Sequence, residues 1–276
     1  MNPELSIIVV NYKERGFLRQ FLRGIVRVNL KLTYEILVVD NGSNDGSAEM
    51  MRESFPHIRL LAFPKNRGLS VAVNAAVRAT TGKYILYINN DIAVFEGVIE
   101  QLVQYIERHP AVGILAPKLL NPDRSIQISC YRFHRPIVPV LRRSPLGKLP
   151  WAQRILRRFL MLDWDHNAIQ TVDWVLGAAM LIRRSAYEQV GGMDERFFAY
   201  FEDVDLCRQM WVHKWQVVYY APAHLIHYHQ RTSAASPGLV SVFKWHTRVH
   251  ILSGVKYFLK YFRQPLPITD TIYEAS

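Results

Sequence analysis

Over the first 120 residues the apolar positions alternate between two rhythms. LSIIVVNY (5–12) is a continuous apolar run rich in β-branched residues, the pattern of a strand buried on both faces. A helical segment follows over roughly 15–28, then YEILVVD (34–40) as a second strand and Gly46 to Ser54 as a short helix. HIRLLAF (57–63) reads as the third strand, Leu69 to Ala79 as a buried Ala- and Val-rich helix, and KYILYIN (83–89) as the fourth strand. Glu96 to Arg108 is the next helix and VGILAPKL (112–119) a fifth strand. This order predicts an α/β fold, a mostly parallel sheet flanked by helices. Ligands on such sheets bind beyond the carboxyl ends of the strands, where Asp40 and the triplet Asn89-Asn90-Asp91 fall.

The rhythm breaks over 131–165, which holds Pro136, Pro139, Pro145 and Pro150 among many arginines. It resumes at WAQRILRRFLML (151–162), where Trp151, Ile155, Leu156, Phe159 and Leu162 share one side of a helix and Arg154, Arg157 and Arg158 the other. That pattern suits an interfacial membrane helix and a helix packed on the core about equally. Farther on, VLGAAMLIRR (175–184) reads as a strand, Glu202 to Val212 as a helix and QVVYYAP (216–222) as a strand. The tail 240–263 looks helical, but its basic and apolar positions overlap, which makes it the weaker membrane candidate. The expected division is a catalytic unit over 1–233, with 131–165 as a basic insertion, and a helical extension over 234–276.

Charge sharpens this outline. The net charge is +11, and it is localised: 131–162 and 240–263 contain many Lys and Arg and no acid. Charge of one sign in blocks points to a polyanion or an anionic surface. No nucleic-acid-binding motif accompanies it, and acidic strand ends would repel phosphate unless a metal intervened. Cys130 and Cys207 make neither a disulfide framework nor a zinc site, so a reducing, cytoplasmic setting is expected. The N-terminal run lacks a basic leader, and no stretch approaches the roughly 18–20 apolar residues that span a bilayer.

Four clusters carry candidate chemistry. No G-x-G-x-x-G or P-loop follows the first strand; KERG stands there, a poor version also of the loop a sugar nucleotidyltransferase needs. The run Asp40-Asn41-Gly42-Ser43-Asn44-Asp45-Gly46-Ser47 is turn and cap chemistry, apart from an acid at the strand end able to accept hydrogen bonds from a base or ribose. Asn89-Asn90-Asp91 offers oxygens suited to Mg²⁺ or Mn²⁺. In FFAYFEDVD (197–205) three acids follow an aromatic loop and open a helix, so one could serve as a general base in a partly enclosed site. His224, His227 and His229 follow, and of these His227 and His229 share a strand face as potential extra metal ligands.

In order, SIIVVNYK, VVDNGSNDGS, NRGLSVAVNAAVRATTGKYILYINND, GAAMLIRRSAYEQVGGMDERFFAYFEDVDLC and HLIHYHQRTS resemble the family 2 glycosyltransferases of the GT-A, Rossmann-like fold, over about residues 5–233. Within that family the chain resembles the branch containing rhamnosyltransferases of bacterial cell-surface polysaccharides. The resemblance implies an inverting transfer from a nucleoside-diphosphate sugar, with dTDP-rhamnose as the branch's donor. The acceptor would be a hydroxyl of a surface glycan or polyprenyl-diphosphate-linked glycan at the inner membrane face, held near anionic lipid, with no nucleic-acid partner. It assigns Asn11, Tyr12, Asp40, Asn66, Gly68, Asn74 and Asn90 to the nucleotide sugar, and Asp91 with His227 to Mg²⁺ or Mn²⁺. Asp203, paired with Glu202, becomes the catalytic base; Trp174, Phe198, Tyr200 and His229 stand on the acceptor side. Asn89 replaces the first acid of the family's Asp-x-Asp metal motif, so Asp91 alone supplies a carboxylate there.

Overall fold

The computed structural model describes residues 2–228, 245–269 and 273–274, with Arg143, Tyr273 and Glu274 described by backbone alone. The first half alternates as its hydrophobic pattern predicts: β1 (Leu5–Asn11), α1 (Arg15–Arg27), β2 (Tyr34–Asp40), α2 (Ser47–Ser54), β3 (Arg59–Ala62), α3 (Leu69–Arg78) and β4 (Tyr84–Ile88). A two-residue β5 (Ile92–Ala93), α4 (Val98–Arg108), β6 (Val112–Leu120), β7 (Ile126–Gln127) and β8 (Cys130–Tyr131) follow. The basic insertion forms α5 (Ile137–Arg143) and α6 (Pro150–Phe159). Then come β9 (Ile169–Thr171), β10 (Trp174–Val175), β11 (Ala179–Arg183), α7 (Arg184–Gln189), α8 (Glu202–Val212), β12 (Gln216–His227), α9 (Trp245–Lys260) and β13 (Tyr273–Glu274).

The main sheet runs β13-β9-β12-β6-β11-β4-β1-β2-β3. Strands β4, β1, β2 and β3 are parallel, β11 is inserted antiparallel between β4 and β6, and β12 lies parallel to β6. Alternate residues of each central strand feed opposite cores, as the period of two requires. Ile8, Val39 and Tyr87 pack with α3 and α8; Ile7, Val9, Val38 and Ile88 pack with α1, α2 and α4. The sheet is therefore covered on both faces, and its polar strand ends are where ligand chemistry can sit.

Two expectations change. The segment 175–184 is not one strand: β10 pairs with β8 in a separate two-stranded sheet, and the chain turns at Leu176-Gly177-Ala178 before β11 joins the main sheet. The predicted strand 216–222 instead continues to His227, through a register shift between Tyr220 and His224. That extension brings His227 opposite Ile92, next to Asp91.

The amphipathic helix 151–162 is also decided. In α6, Ile155 and Leu156 are half-buried and Phe159 fully buried, all within the core cluster shared with α8. Its apolar stripe thus faces the protein, with Trp151 left exposed at the start of the helix.

Candidate active site

The nucleotide side begins where β1 and β2 end in register, Asn11 opposite Asp40. Asn11 is fully buried, and its amide N–H groups donate to Asp40 Oδ1 (3.1 Å), Ser43 Oγ (3.1 Å) and Ser47 Oγ (3.0 Å). Its Oδ1 accepts from Asn90 Nδ2 at 2.9 Å. The side chain is spent inside the protein, so Asn11 locks three strand ends together rather than presenting itself to a ligand. Asp40 is held as firmly, accepting in addition from the Ser43 hydroxyl and the Ser43 backbone N–H. Tyr12, by contrast, is exposed at the rim.

The loop before α3 is clamped to the aromatic loop at 197–201. Asn66 Oδ1 accepts from Asn41 Nδ2 (3.1 Å) and Gly68 N (2.9 Å), and Leu69 N donates to Phe198 O at 2.7 Å. Gly68 has φ +88°, and a Cβ there would stand 2.8 Å from Phe198 O, so only glycine permits this approach. Asn74, which the family resemblance assigns to the donor, is buried and wholly engaged elsewhere. Its Nδ2 donates to Met193 O and Glu195 Oε1, and its Oδ1 accepts from Tyr187 OH and Met193 N. Asn74 is thus a pin between α3 and the loop 192–195. We expect Asn74→Ala to lower stability by about 2–3 kcal/mol, since it strands several buried polar groups. Urea unfolding should register that loss while the folded fraction binds donor normally; weakened binding with unchanged stability would return Asn74 to the donor site.

The metal side lies at the end of β4. Asn89 Oδ1 accepts from Tyr87 OH, and Asn89 N donates to Ala178 O. Asp91 Oδ1 is buried with no hydrogen-bond donor and lies 3.2 Å from His227 Nε2. His227 Nδ1 lies 2.8 Å from Gln127 Oε1, an oxygen that can only accept. With the ring proton there, Nε2 turns its lone pair toward a carboxylate oxygen, an arrangement that a cation, or a second ring proton, would relieve. Asp91 and His227 therefore fit a hard divalent ion. Among the described residues no set of three His, Cys, Asp or Glu side chains converges to hold an ion alone. Mg²⁺-type ions are commonly held by one or two protein groups plus substrate phosphates and water, which matches a pair of protein ligands.

The third cluster is built at the start of α8. Tyr200 and Phe201 both adopt left-handed φ (68° and 67°), a costly conformation for aromatic residues of a kind that recurs at functional sites. They aim Glu202 and Asp203 inward, and both carboxylates are buried. Asp203 Oδ2 accepts from Gly177 N at 3.0 Å and Oδ1 from Val204 N at 2.8 Å. Gly177 N–H is available because the chain turns there instead of continuing a strand. The neighbouring Ala178 O takes Asn89 N, so Asp203 and the end of β4 are joined through three consecutive links.

Burial raises the pKa of Asp203, against the two backbone N–H groups that favour its charge. Burial, then the Asp203 charge, pushes Glu202 above the ordinary carboxylate range. The Tyr87 phenol is driven well up by burial and then by Glu202, Asp203 and Asp91, so both acidic clusters act on one ring. The third acid, Asp205, is structural: it receives Lys260 Nζ at 2.7 Å and Tyr261 OH at 2.8 Å, binding α8 to α9.

Phe198 and Tyr200, which the family resemblance assigns to the acceptor, are half-buried and packed against Trp245 and His250. Trp174 departs from its assignment. It is buried, stacks on Tyr131 and donates its N–H to Arg132 O at 2.9 Å, so its ring faces the interior. His229 lies outside the described residues. Three residues carry no signal of their own in the sequence: Gly177, Gln127 and Glu14. The carboxyl of Glu14 is pushed up by partial burial and by Asp91, and Asn90 hydrogen-bonds to it.

Known proteins resemble this chain in sequence and in fold. The family model for Glycosyl transferase family 2 matches residues 6–191. The chain is 28% identical over 257 residues to the N-acetylglucosaminyl-diphospho-decaprenol L-rhamnosyltransferase of Mycobacterium tuberculosis, covering 86% of this chain and 80% of that one. It is 24% identical over 261 residues to the rhamnosyltransferase WbbL of Escherichia coli K12, covering 88% and 89%. Its fold superposes with a TM-score of 0.56 on the mannosyltransferase PcManGT of Pyrobaculum calidifontis, solved with GDP-Man and Mn²⁺, at 19% identity over 84% of this chain and 59% of that one.

Proposed function

The chain belongs to glycosyl transferase family 2 and is a glycosyltransferase of the GT-A fold, and from that premise we propose that it moves a deoxyhexose such as rhamnose from a nucleoside diphosphate to a hydroxyl of a polyprenyl-diphosphate-linked glycan, with inversion. The observation that carries this reading is the chain of contacts from Asn89 through Ala178 and Gly177 to Asp203, which sets one buried carboxylate beside the metal-side strand end. Asp203 takes the proton of the acceptor hydroxyl as that oxygen attacks the anomeric carbon and the bond to the diphosphate breaks. No second carboxylate is needed as nucleophile, because the donor already carries a good leaving group. Asp91 and His227 would hold a divalent ion, which when bound would supply positive charge that stabilises the departing diphosphate. Gln127 orients His227, Asp40 meets the base or ribose, and Phe198 and Tyr200 wall the acceptor entrance.

The names of the mycobacterial and Escherichia coli relatives support the sugar, and the decaprenyl diphosphate in the former name supports the acceptor class. Among the described residues no helix is long and apolar enough to cross a membrane; a lipid-linked acceptor would be met at the membrane surface. A thermal-shift screen of nucleotide sugars with Mn²⁺ or Mg²⁺ tests the donor. A ligand at about a hundred times its Kd adds about 2.7 kcal/mol, and about 2–4 °C per kcal/mol makes the rise several degrees. We expect the largest rise with dTDP-rhamnose. A flat response to every nucleotide sugar would refute the donor reading.

A further inference from the structure

The tail helix α9 has two unlike sides. Its inner side is bound to the catalytic loop and to α8: Ser253 Oγ donates to Ala199 O, Gly254 abuts the Phe201 ring, and Lys260 and Tyr261 reach Asp205. Arg208 of α8 lies 3.7 Å from the Tyr261 ring centroid. Among the described residues its outer side is apolar and uncovered. Leu252, Val255, Leu259 and Phe262 are 59%, 50%, 68% and 68% exposed, with Ile251 beside them. Arg248, Lys256 and Arg263 are exposed along the same side, and residues 240–269 contain no acid.

In the sequence the overlap of basic and apolar positions weakens the membrane reading of this tail. The structure reverses the ranking: the stripe of α6 is used up in the core, whereas that of α9 is uncovered. The overlap arises because α9 is apolar on both sides, one side for the catalytic loop and one for something else. At its edge a cavity of ≈ 400 Å³ is lined by Arg196, Phe197, Lys256, Leu259 and Lys260. Arg196 and Lys260 are paired with Asp194, while Lys256 Nζ donates to Arg196 O at 2.8 Å and has no carboxylate partner among the described residues.

We infer that the outer face of α9 docks on an anionic lipid bilayer. An exposed apolar stripe flanked by cations is how an interfacial helix binds, its side chains entering the acyl boundary and its cations meeting headgroups. A second copy of the chain is the poorer occupant, since an antiparallel two-fold pairing of α9 would set the cations of one copy, Arg248 and Arg263, against those of the other. An acidic protein would satisfy the cations but leaves unexplained why the stripe backs directly onto the catalytic loop. Docked this way, the loop 196–201 sits about one helix diameter, roughly 10 Å, from the headgroups. The inference rests on the proposed lipid-linked acceptor and says which side of the enzyme meets it.

The test uses the full chain and vesicles of phosphatidylcholine with or without phosphatidylglycerol. The parent should sediment with the anionic vesicles at low salt and be released as salt rises. Leu252→Glu/Leu259→Glu should cut that partitioning roughly tenfold or more, as should Arg248→Glu/Arg263→Glu. Both variants should keep the parent's melting temperature and its donor-induced shift, which separates lost docking from lost folding or lost donor binding. The inference is overturned if the parent stays in the supernatant, if both variants sediment like the parent, or if light scattering shows a parent dimer that the leucine variant dissolves. Vesicle binding without any donor-induced shift would leave the docking face standing and remove the donor reading alone.

Discussion

Asp203→Asn is expected to bind donor as the parent does and to transfer sugar roughly 10²–10⁴-fold more slowly, the usual contribution of a positioned general base. The substitution is nearly isosteric but not silent. Asp203 accepts from two backbone N–H groups, Gly177 and Val204, and an amide can accept from one while its NH₂ confronts the other. One lost hydrogen bond is offset by relief from burying a charge, so the fold should survive. The pH profile gives a second readout. The base must be ionised to work, so kcat/KM rises as pH climbs through the pKa of the buried pair. Burial raises Asp203, which puts that acid limb above the ordinary carboxylate value of about 4. Near-parent turnover by Asp203→Asn, or an acid limb at or below the free-aspartate range, would remove Asp203 as the base.

Asp91→Ala should abolish the advantage that Mn²⁺ gives to nucleotide binding. Because Asp91 is the one carboxylate of the proposed two-ligand site, its loss would leave His227 alone, and a bound ion would then depend on the diphosphate for nearly all its coordination. Gln127→Ala is the graded companion. Gln127 touches no proposed ligand but fixes the His227 ring through Nδ1, and loss of such an orienting partner commonly costs about 10–100-fold in metal affinity. Calorimetric titration of dTDP with and without Mn²⁺ reads both. If Asp91→Ala binds dTDP with the parent's Mn²⁺ dependence, the ion is held elsewhere or not at all. If Gln127→Ala matches the parent, the Gln127 contact merely fills space.

Much of this site is legible along the chain because strand ends are local features. Asp40, Asn89-Asn90-Asp91 and Glu202-Asp203 each stand where a run of one periodicity stops, and the parallel sheet brings such stops to one edge. Their roles are less legible. Asn11 and Asn74 look like ligand-binding amides in a list of polar residues, yet each has its hydrogen-bonding groups consumed by partners 29 to 121 residues away. Trp174 looks like an acceptor platform and is interior. Polarity along a chain reports that a group needs a partner, and the partner's identity depends on which segments meet.

The sequence by itself determined the alternating strands and helices, the parallel sheet and the acidic clusters, because hydrophobic period and short-range turn chemistry are properties of neighbouring residues; the family came from the resemblance of its ordered motifs. Only the tertiary structure decided that the chain breaks at Gly177 to present an N–H to Asp203, and that Gln127 orients His227 across 100 residues. It also decided that α6 spends its apolar stripe on the core while α9 leaves one open. An apolar stripe has the same spacing whether it is covered by protein or waiting for lipid; what covers it is a matter of packing between distant segments, which no local pattern encodes.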